Sequence, residues 1–188
     1  MSARRKRIAT TSLAGCFGCH MSLLDLDEHL FDLLAKVDFD RSPLNDKKTF
    51  TRRCDIGLIE GGCCNEENVR VLREFREHCD VLVAVGQCAI TGGVPVMRNA
   101  IMHAEDPLRE CLEVAYNASK TVQNPQNLIP NDPVLPLLLD KVYTCAQVVK
   151  VDYQIPGCPP SAEVFRIALD ALIHGAPPQL DHALIRYD

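Results

Sequence analysis

The run Val81-Leu82-Val83-Ala84-Val85 is apolar at every position and closes on Gly86. A strand with one wet face alternates apolar and polar residues. An unbroken apolar run has both faces covered, as in the interior of a parallel sheet. Parallel neighbours cannot be joined by tight hairpins; they need long crossovers, usually helices. This orders the rest of the chain. Ile8 to Leu13 is short, apolar and β-branched, ends near Gly15, and reads as a second buried strand. Ser22 to Lys36 carries Leu23, Leu26, Leu30, Leu33 and Leu34 at helical spacing, so an amphipathic helix is expected there. Val37 to Asp40 alternates like an edge strand, and Asp55 to Glu60 is a further strand closed by Gly61-Gly62. Glu66 to His78 has the period of a helix, with Val69, Leu72 and Phe75 on one side. Pro95 to Asn117 is helical in pattern with a break at Asp106-Pro107, and Thr121 to Pro136, rich in Asn and Pro, reads as a loop. Val148 to Ile155 is the last strand, and Pro159-Pro160 opens a helix from Ser161 to His174. Strands alternating with helices predict a parallel sheet with helices on both faces. The expected fold is α/β, a flavodoxin-like three-layer sandwich.

At 188 residues, 47 % of them apolar, the chain fits one domain, 1–188, with residues 1–7 as a basic tail. The net charge of −5 offers no basic face for nucleic acid. No run approaches the ~18 apolar residues of a membrane span. Arg4-Arg5-Lys6-Arg7 resembles the start of an export signal, but the apolar stretch such a signal needs is cut short at Cys16 and diluted by Thr and Ser. The expectation is a solvated tail on a cytoplasmic protein.

Ten cysteines in a reducing compartment point to metal binding, catalysis or burial rather than disulfides. Four of them stand apart. Cys16 and Cys19 follow the first strand, Cys88 follows Val81–Val85, and Cys158 follows the last strand. All four fall beyond carboxyl ends of parallel strands, the edge where open α/β sheets place their ligands. Each has a glycine close by, among Gly15, Gly18, Gly86 and Gly157, which lets backbone N–H groups approach the sulfurs. Four thiolates form the ligand set of an iron–sulfur cluster. The spacing alone also admits zinc, and a zinc-stabilised interaction module without redox chemistry is the reading from a different class.

Three ordered motifs sharpen the choice. Gly15-Cys16-Phe17-Gly18-Cys19-His20, Val85-Gly86-Gln87-Cys88-Ala89-Ile90-Thr91-Gly92-Gly93 and Pro156-Gly157-Cys158-Pro159-Pro160 resemble the cluster motifs of nickel–iron hydrogenase small subunits, CxGC, GxCxxxGG and GCPP. The related complex I subunit shares the later two but has adjacent cysteines at the first, where Cys16 and Cys19 are separated here. The resemblance runs from about residue 8 to 174. The length and the lack of an export leader favour the short, single-cluster form, similar to the small subunit of cytoplasmic NAD-reducing hydrogenases (HoxY-type). That resemblance implies one [4Fe-4S] cluster at the carboxyl edge, held by Cys16, Cys19, Cys88 and Cys158. It further implies a large partner subunit with the nickel–iron centre, and diaphorase partners with FMN and iron–sulfur clusters that reduce NAD. The chain would be the electron relay of a hydrogen:NAD oxidoreductase, with no catalytic residue of its own. The alternatives are a cytoplasmic nickel–iron hydrogenase with a different acceptor and a complex I-like quinone reductase.

Other residues carry weaker signals. Cys63 and Cys64 follow another strand end and are expected to pack at an interface. Glu60 resembles the glutamate that the superfamily places near the cluster, and His20 adjoins a ligand. Cys54, Cys79, Cys111 and Cys145 read as small buried hydrophobes. No GxGxxG fingerprint is present, which argues against direct NAD binding. Thr10-Thr11-Ser12 is similar to the hydroxyl-rich phosphate loop of flavodoxin-like folds, which keeps FMN on this chain as a lesser alternative.

Overall fold

The computed structural model describes residues 4–101 and 106–185. In chain order the main elements are β1 (Lys6–Ser12), α1 (Gly18–Leu24), α2 (His29–Lys36), β2 (Val37–Phe39), β3 (Cys54–Glu60), β4 (Cys63–Asn65), α3 (Glu66–His78) and β5 (Cys79–Val85). There follow α4 (Gly86–Ile90), α5 (Met97–Ile101), α6 (Pro107–Glu113), β6 (Leu138–Tyr143), α7 (Cys145–Val148), β7 (Tyr153–Ile155) and α8 (Ala162–Ile173). Five strands form a sheet in the order β2-β1-β3-β5-β7, and every pairing in it is parallel.

The period of two along each strand sorts side chains into two cores. Ile8, Ile56, Leu58, Val83, Val85 and Ile155 face one side, where Leu23 of α1, Leu33 of α2 and Val164, Phe165 and Leu169 of α8 cover them. Ala9, Ile59, Leu82 and Ala84 face the other, against Val71, Leu72 and Phe75 of α3 and Ala89 of α4. Helices on both faces of a parallel sheet make the three layers the apolar β5 run demands.

Local chemistry sets the helix ends. The Asn65 side chain accepts from the Asn68 N–H at the start of α3, Glu66 and Glu67 occupy its first turn, and Arg76 and His78 its last. At α8, Ser161 caps the Val164 N–H directly after the paired prolines.

Several sequence expectations are corrected. The helix expected over Ser22–Lys36 is two, α1 and α2, broken where Asp27 takes a φ of 50°. Asp tolerates that left-handed region, so the leucine spacing carries across the break unmarked. Leu138–Tyr143 is a strand, pairing antiparallel with β4 in a separate two-stranded sheet. The strand expected over Val148–Ile155 is confined to Tyr153–Ile155, because Thr144 and Gln147 form a capping box that starts α7 just before it. The helical pattern of Pro95–Asn117 yields α5, α6 and a π-turn at Val114–Ala118, with residues 102–105 outside those described. Of the basic tail expected over 1–7, residues 1–3 lie outside those described, and the rest is tethered: Arg4 and Lys6 reach Asp55 at 3.0 and 3.3 Å, Arg5 reaches Asp38 at 3.0 Å, and β1 already begins at Lys6.

Candidate metal centre

The carboxyl ends of β1, β5 and β7 bring the four singled-out cysteines to one edge of the sheet. Cys16, Cys88 and Cys158 all lie near enough to act electrostatically on the Cys19 thiol. Cys16 and Cys158 are exposed, while Cys19 and Cys88 are half-buried. Burial, then Glu60, then the other three thiols push the Cys19 pKa far above its ordinary value. Burial also raises Cys88, against a hydrogen bond donated by the Val94 N–H. A metal bound by the raised thiols of Cys19 and Cys88 would displace their protons.

The loops carrying these sulfurs are cross-tied. Ala14 and Gly62 exchange two N–H···O bonds of 2.9 Å, joining the ends of β1 and β3. The Gln87 N–H donates to the Gly157 carbonyl at 2.9 Å, joining the Cys88 and Cys158 loops. Gly18 N–H donates to Cys16 Sγ at 3.4 Å. Two glycines are demanded by the sulfurs themselves. At Gly86, with φ 78°, an added Cβ would stand 2.3 Å from Cys19 Sγ. At Gly93, with φ 50°, it would stand 2.8 Å from Cys88 Sγ.

Beneath this edge lies a buried polar group. Glu60, 3 % exposed, accepts from Ser12 Oγ at 2.7 Å and from the His20 backbone N–H at 2.9 Å. His20 Nδ1 sits 3.0 Å from Glu60 Oε2, pairing the imidazole with the carboxylate. Burial would raise the Glu60 pKa, but its hydrogen bonds with His20 and Ser12 hold it below the ordinary carboxylate value. The His20 ring stacks on Phe17 at 4.5 Å, and Phe17, between Cys16 and Cys19, holds a left-handed φ of 68°. Glu60 therefore faces inward rather than toward a partner. Sequence reasoning misses Ser12 as its partner, although Ser12 and Glu60 are opposite each other in the β1–β3 register.

The donor set fits an iron–sulfur cluster. It offers four thiols, N–H groups aimed at Cys16 and Cys88, and glycine backbone cut back at Cys19 and Cys88. Among the described residues no three Cys, His, Asp or Glu side chains converge closely enough for one metal ion. Tetrahedral zinc needs four sulfurs about 2.3 Å from a point, whereas a cubane spreads its ligand sulfurs over its corners. An FMN phosphate does not fit the end of β1. Thr10 Oγ1 is bonded to Ser42 Oγ at 2.8 Å, Ser12 Oγ is held by Glu60, and the Leu13 and Ala14 N–H groups donate to Glu60 and Gly62 carbonyls.

The remaining cysteines sort by burial. Cys54, Cys79 and Cys145 are fully buried, and Cys111 is half-buried. Cys63 is buried too, and burial followed by the neighbouring Cys64 pushes its pKa up to about 12. Cys64 is half-buried, with its N–H and thiol both directed at Asn68 Oδ1.

Comparison with known proteins gives consistent matches. The family model "NADH ubiquinone oxidoreductase, 20 Kd subunit" matches residues 16–172. The NAD-reducing hydrogenase HoxS subunit delta of Cupriavidus necator is 46 % identical over 183 residues, covering 97 % of this chain and 85 % of that protein. A subunit of the F420-non-reducing hydrogenase of Methanococcus voltae is 35 % identical, and its match covers 97 % of this chain but 61 % of its own length. A chain in the crystal structure of an NAD⁺-reducing [NiFe]-hydrogenase in the H2-reduced state superposes with a TM-score of 0.91 at 50 % identity. That match covers 98 % of this chain and 100 % of that one.

Proposed function

We propose that this chain, which belongs to the NADH ubiquinone oxidoreductase 20 kDa subunit family, is the electron-relay small subunit of a NAD-reducing nickel–iron hydrogenase. The observation that carries the reading is the meeting of Cys16, Cys19, Cys88 and Cys158 at one sheet edge, in a chain 46 % identical to a subunit of such an enzyme. These four residues are the ligands of one [4Fe-4S] cluster, which supplies one-electron chemistry when bound. The chain's own residues prepare the place. Cys16 and Cys158 present sulfur at the surface, and Cys19 and Cys88 anchor it inward. N–H groups of Gly18 and Val94 are directed at two of the sulfurs, where such bonds tune potential.

The partners are a large subunit holding the nickel–iron centre, where hydrogen is split, and diaphorase subunits with FMN and iron–sulfur clusters, where NAD is reduced. A relay must place its carrier close to a partner's, so its cluster edge should be apolar and open to docking. Met21, two residues after Cys19, and Val94, whose N–H bonds the Cys88 sulfur, are 52 % and 72 % exposed, which supports docking there. We place the complex in the cytoplasm, with the NAD pool that the proposed diaphorase would reduce. Among the described residues no helix is long and apolar enough to cross a membrane.

The test is hydrogen-dependent NAD⁺ reduction by the complex that co-purifies anaerobically with a tagged chain. Activity supports relay and acceptor together. Hydrogen-dependent dye reduction without NAD⁺ reduction keeps the hydrogenase and removes the diaphorase. Neither activity, from an intact iron-loaded complex, refutes the reading and favours a complex I-like relay.

A further inference from the structure

Phe17 stands between two of the proposed ligands, Cys16 and Cys19, and its backbone is left-handed, with φ 68° and ψ 6°. The other described non-glycine residues with positive φ are Asp27 and Asn127, types that tolerate that region. A bulky residue there is an outlier that its surroundings must impose. The Phe17 ring lies flat on the His20 imidazole, with centroids 4.5 Å apart and planes within 5°. His20 is held from beneath. It is 4 % exposed, its backbone N–H donates to Glu60 Oε2 at 2.9 Å, and its Nδ1 lies 3.0 Å from the same oxygen. Glu60 in turn accepts from Ser12 Oγ at 2.7 Å across the β1–β3 register. The turn at Phe17 is tied in front as well. Its carbonyl accepts the Met21 N–H that begins α1, and the Gly18 N–H reaches Cys16 Sγ at 3.4 Å.

We propose that Phe17 is a positioning residue for the cluster ligands: its ring, clamped against the Glu60-bound His20, holds the left-handed turn that brings the Cys16 and Cys19 sulfurs to one site. The inference rests on the four-cysteine cluster reading and deepens it. Cys16 and Cys19 lie on either side of the turn, the first exposed and the second half-buried. An ordinary negative φ at position 17 would swing α1 away and carry with it the Cys19 sulfur, which now lies against Gly86. Glycine would take the left-handed turn without strain, but it would take negative φ as readily. A ring that can be clamped confines the loop to one conformation, which the freedom of glycine does not. Strained backbone persists where the surrounding structure over-determines it. Here the imidazole, its carboxylate partner and the ends of β1 and β3 do so. The clamp makes no bond to the cluster and acts only through the placement of two ligands.

Substitutions at position 17 in the intact, anaerobically purified complex separate the strain from the clamp. Phe17→Tyr keeps both, Phe17→Ala keeps the strain without the ring, and Phe17→Gly removes both. The readouts are the rate of iron loss to a chelator and the midpoint potential of the cluster, followed by its paramagnetic signal. A general loss of fold stability lowers the melting temperature but leaves that potential in place. Phe17→Tyr should match the parent. Phe17→Gly should lose iron faster, by roughly 2- to 10-fold, the factor corresponding to one aromatic pair. Phe17→Ala should be faster still, and both should shift the potential. Phe17→Gly with the parent's rate and potential overturns the proposal, because the turn would then need only its backbone. If the position-17 variants do not assemble, His20→Ala breaks the clamp from the other side. It should speed iron loss and shift the potential in the same way, and the parent's values there overturn the proposal too. A parent complex without iron refutes the cluster reading and this role with it. A parent with a full cluster and insensitive variants refutes this role alone.

Discussion

Gly86→Ala puts the proposed ligand geometry under direct strain, and Gly175→Ala supplies a matched control. Both glycines hold positive φ, 78° and 76°. In that region an L side chain costs roughly 1–2 kcal/mol. For a chain of this size each kcal/mol lowers the melting temperature by about 2–4 °C. Both variants should therefore lose a few degrees from backbone strain alone. They differ in what the new methyl meets. At Gly175 nothing lies within 4 Å, whereas at Gly86 Cys19 Sγ lies 2.3 Å away, and ordinary contact begins at 3.4 Å. The sulfur must retreat by about 1 Å to restore contact. Metal–ligand distances tolerate about 0.2 Å, so the retreat is several times what coordination allows. The expected outcome is that Gly175→Ala purifies anaerobically with full iron and acid-labile sulfide, while Gly86→Ala loses most of both, along with the visible absorbance and the paramagnetic signal of the reduced cluster. Full iron with an unchanged signal in Gly86→Ala would refute the reasoning, since a sulfur pressed against that backbone could not remain a ligand.

Three further outcomes follow from the same geometry. Cys88→Ser should lower iron content and hydrogen-dependent activity, while Cys111→Ser, on α6 and half-buried, should leave both unchanged; iron assays on the two complexes decide this. Glu60→Ala strips the acceptor from the Ser12 hydroxyl and the His20 N–H, at about 1–3 kcal/mol for each group left without a partner, and Glu60→Gln, which keeps an amide oxygen, should cost less; unfolding midpoints measure both. Asp55 and Asp152 give an acid-side dependence. Burial would raise both, but hydrogen bonds from the Arg7 N–H, Arg4 and Lys6 to Asp55, and from Arg76 and the Leu82 N–H to Asp152, hold them below the ordinary 3.8. A depressed carboxylate contributes stability that is full above its unfolded pKa and is lost as pH falls through its folded value. Unfolding midpoints should thus be flat above about pH 4 and decline below it, and Asp152→Asn should make that decline shallower.

Much of this was legible because local signals were complete within short windows. α3 announces itself by the Asn65 cap, two glutamates in the first turn and Arg76 and His78 in the last. β5 does so by its unbroken apolar run, and the glycine-flanked cysteines mark the strand ends around it. What escaped depended on distant partners. β6 is a strand because β4, far back in the chain, pairs with it, and its own sequence, Leu138-Leu139-Asp140-Lys141-Val142-Tyr143, does not alternate. The end of α1 rests on the single left-handed residue Asp27, a choice the leucine spacing does not encode. The contact between Ser12 and Glu60 follows from register, and the stack of His20 on Phe17 follows from packing. Thr10 and Ser12 show the opposite error: hydroxyls that resemble a phosphate loop are consumed by inner partners.

The order of the strands also bears on how such a subunit is made. The proposed ligands are spread over β1, β5 and β7, with β3 between the first two and β7 at the sheet's edge. A chain emerging from the ribosome folds its N-terminal portion first. It can then display Cys16, Cys19 and Cys88 while the segment bearing Cys158 is still being synthesised. A complete thiol quartet exists only once β7 has been added to β5 and the loop after it has bonded to Gln87. Any cofactor delivery that requires all four proposed ligands must therefore wait for that pairing.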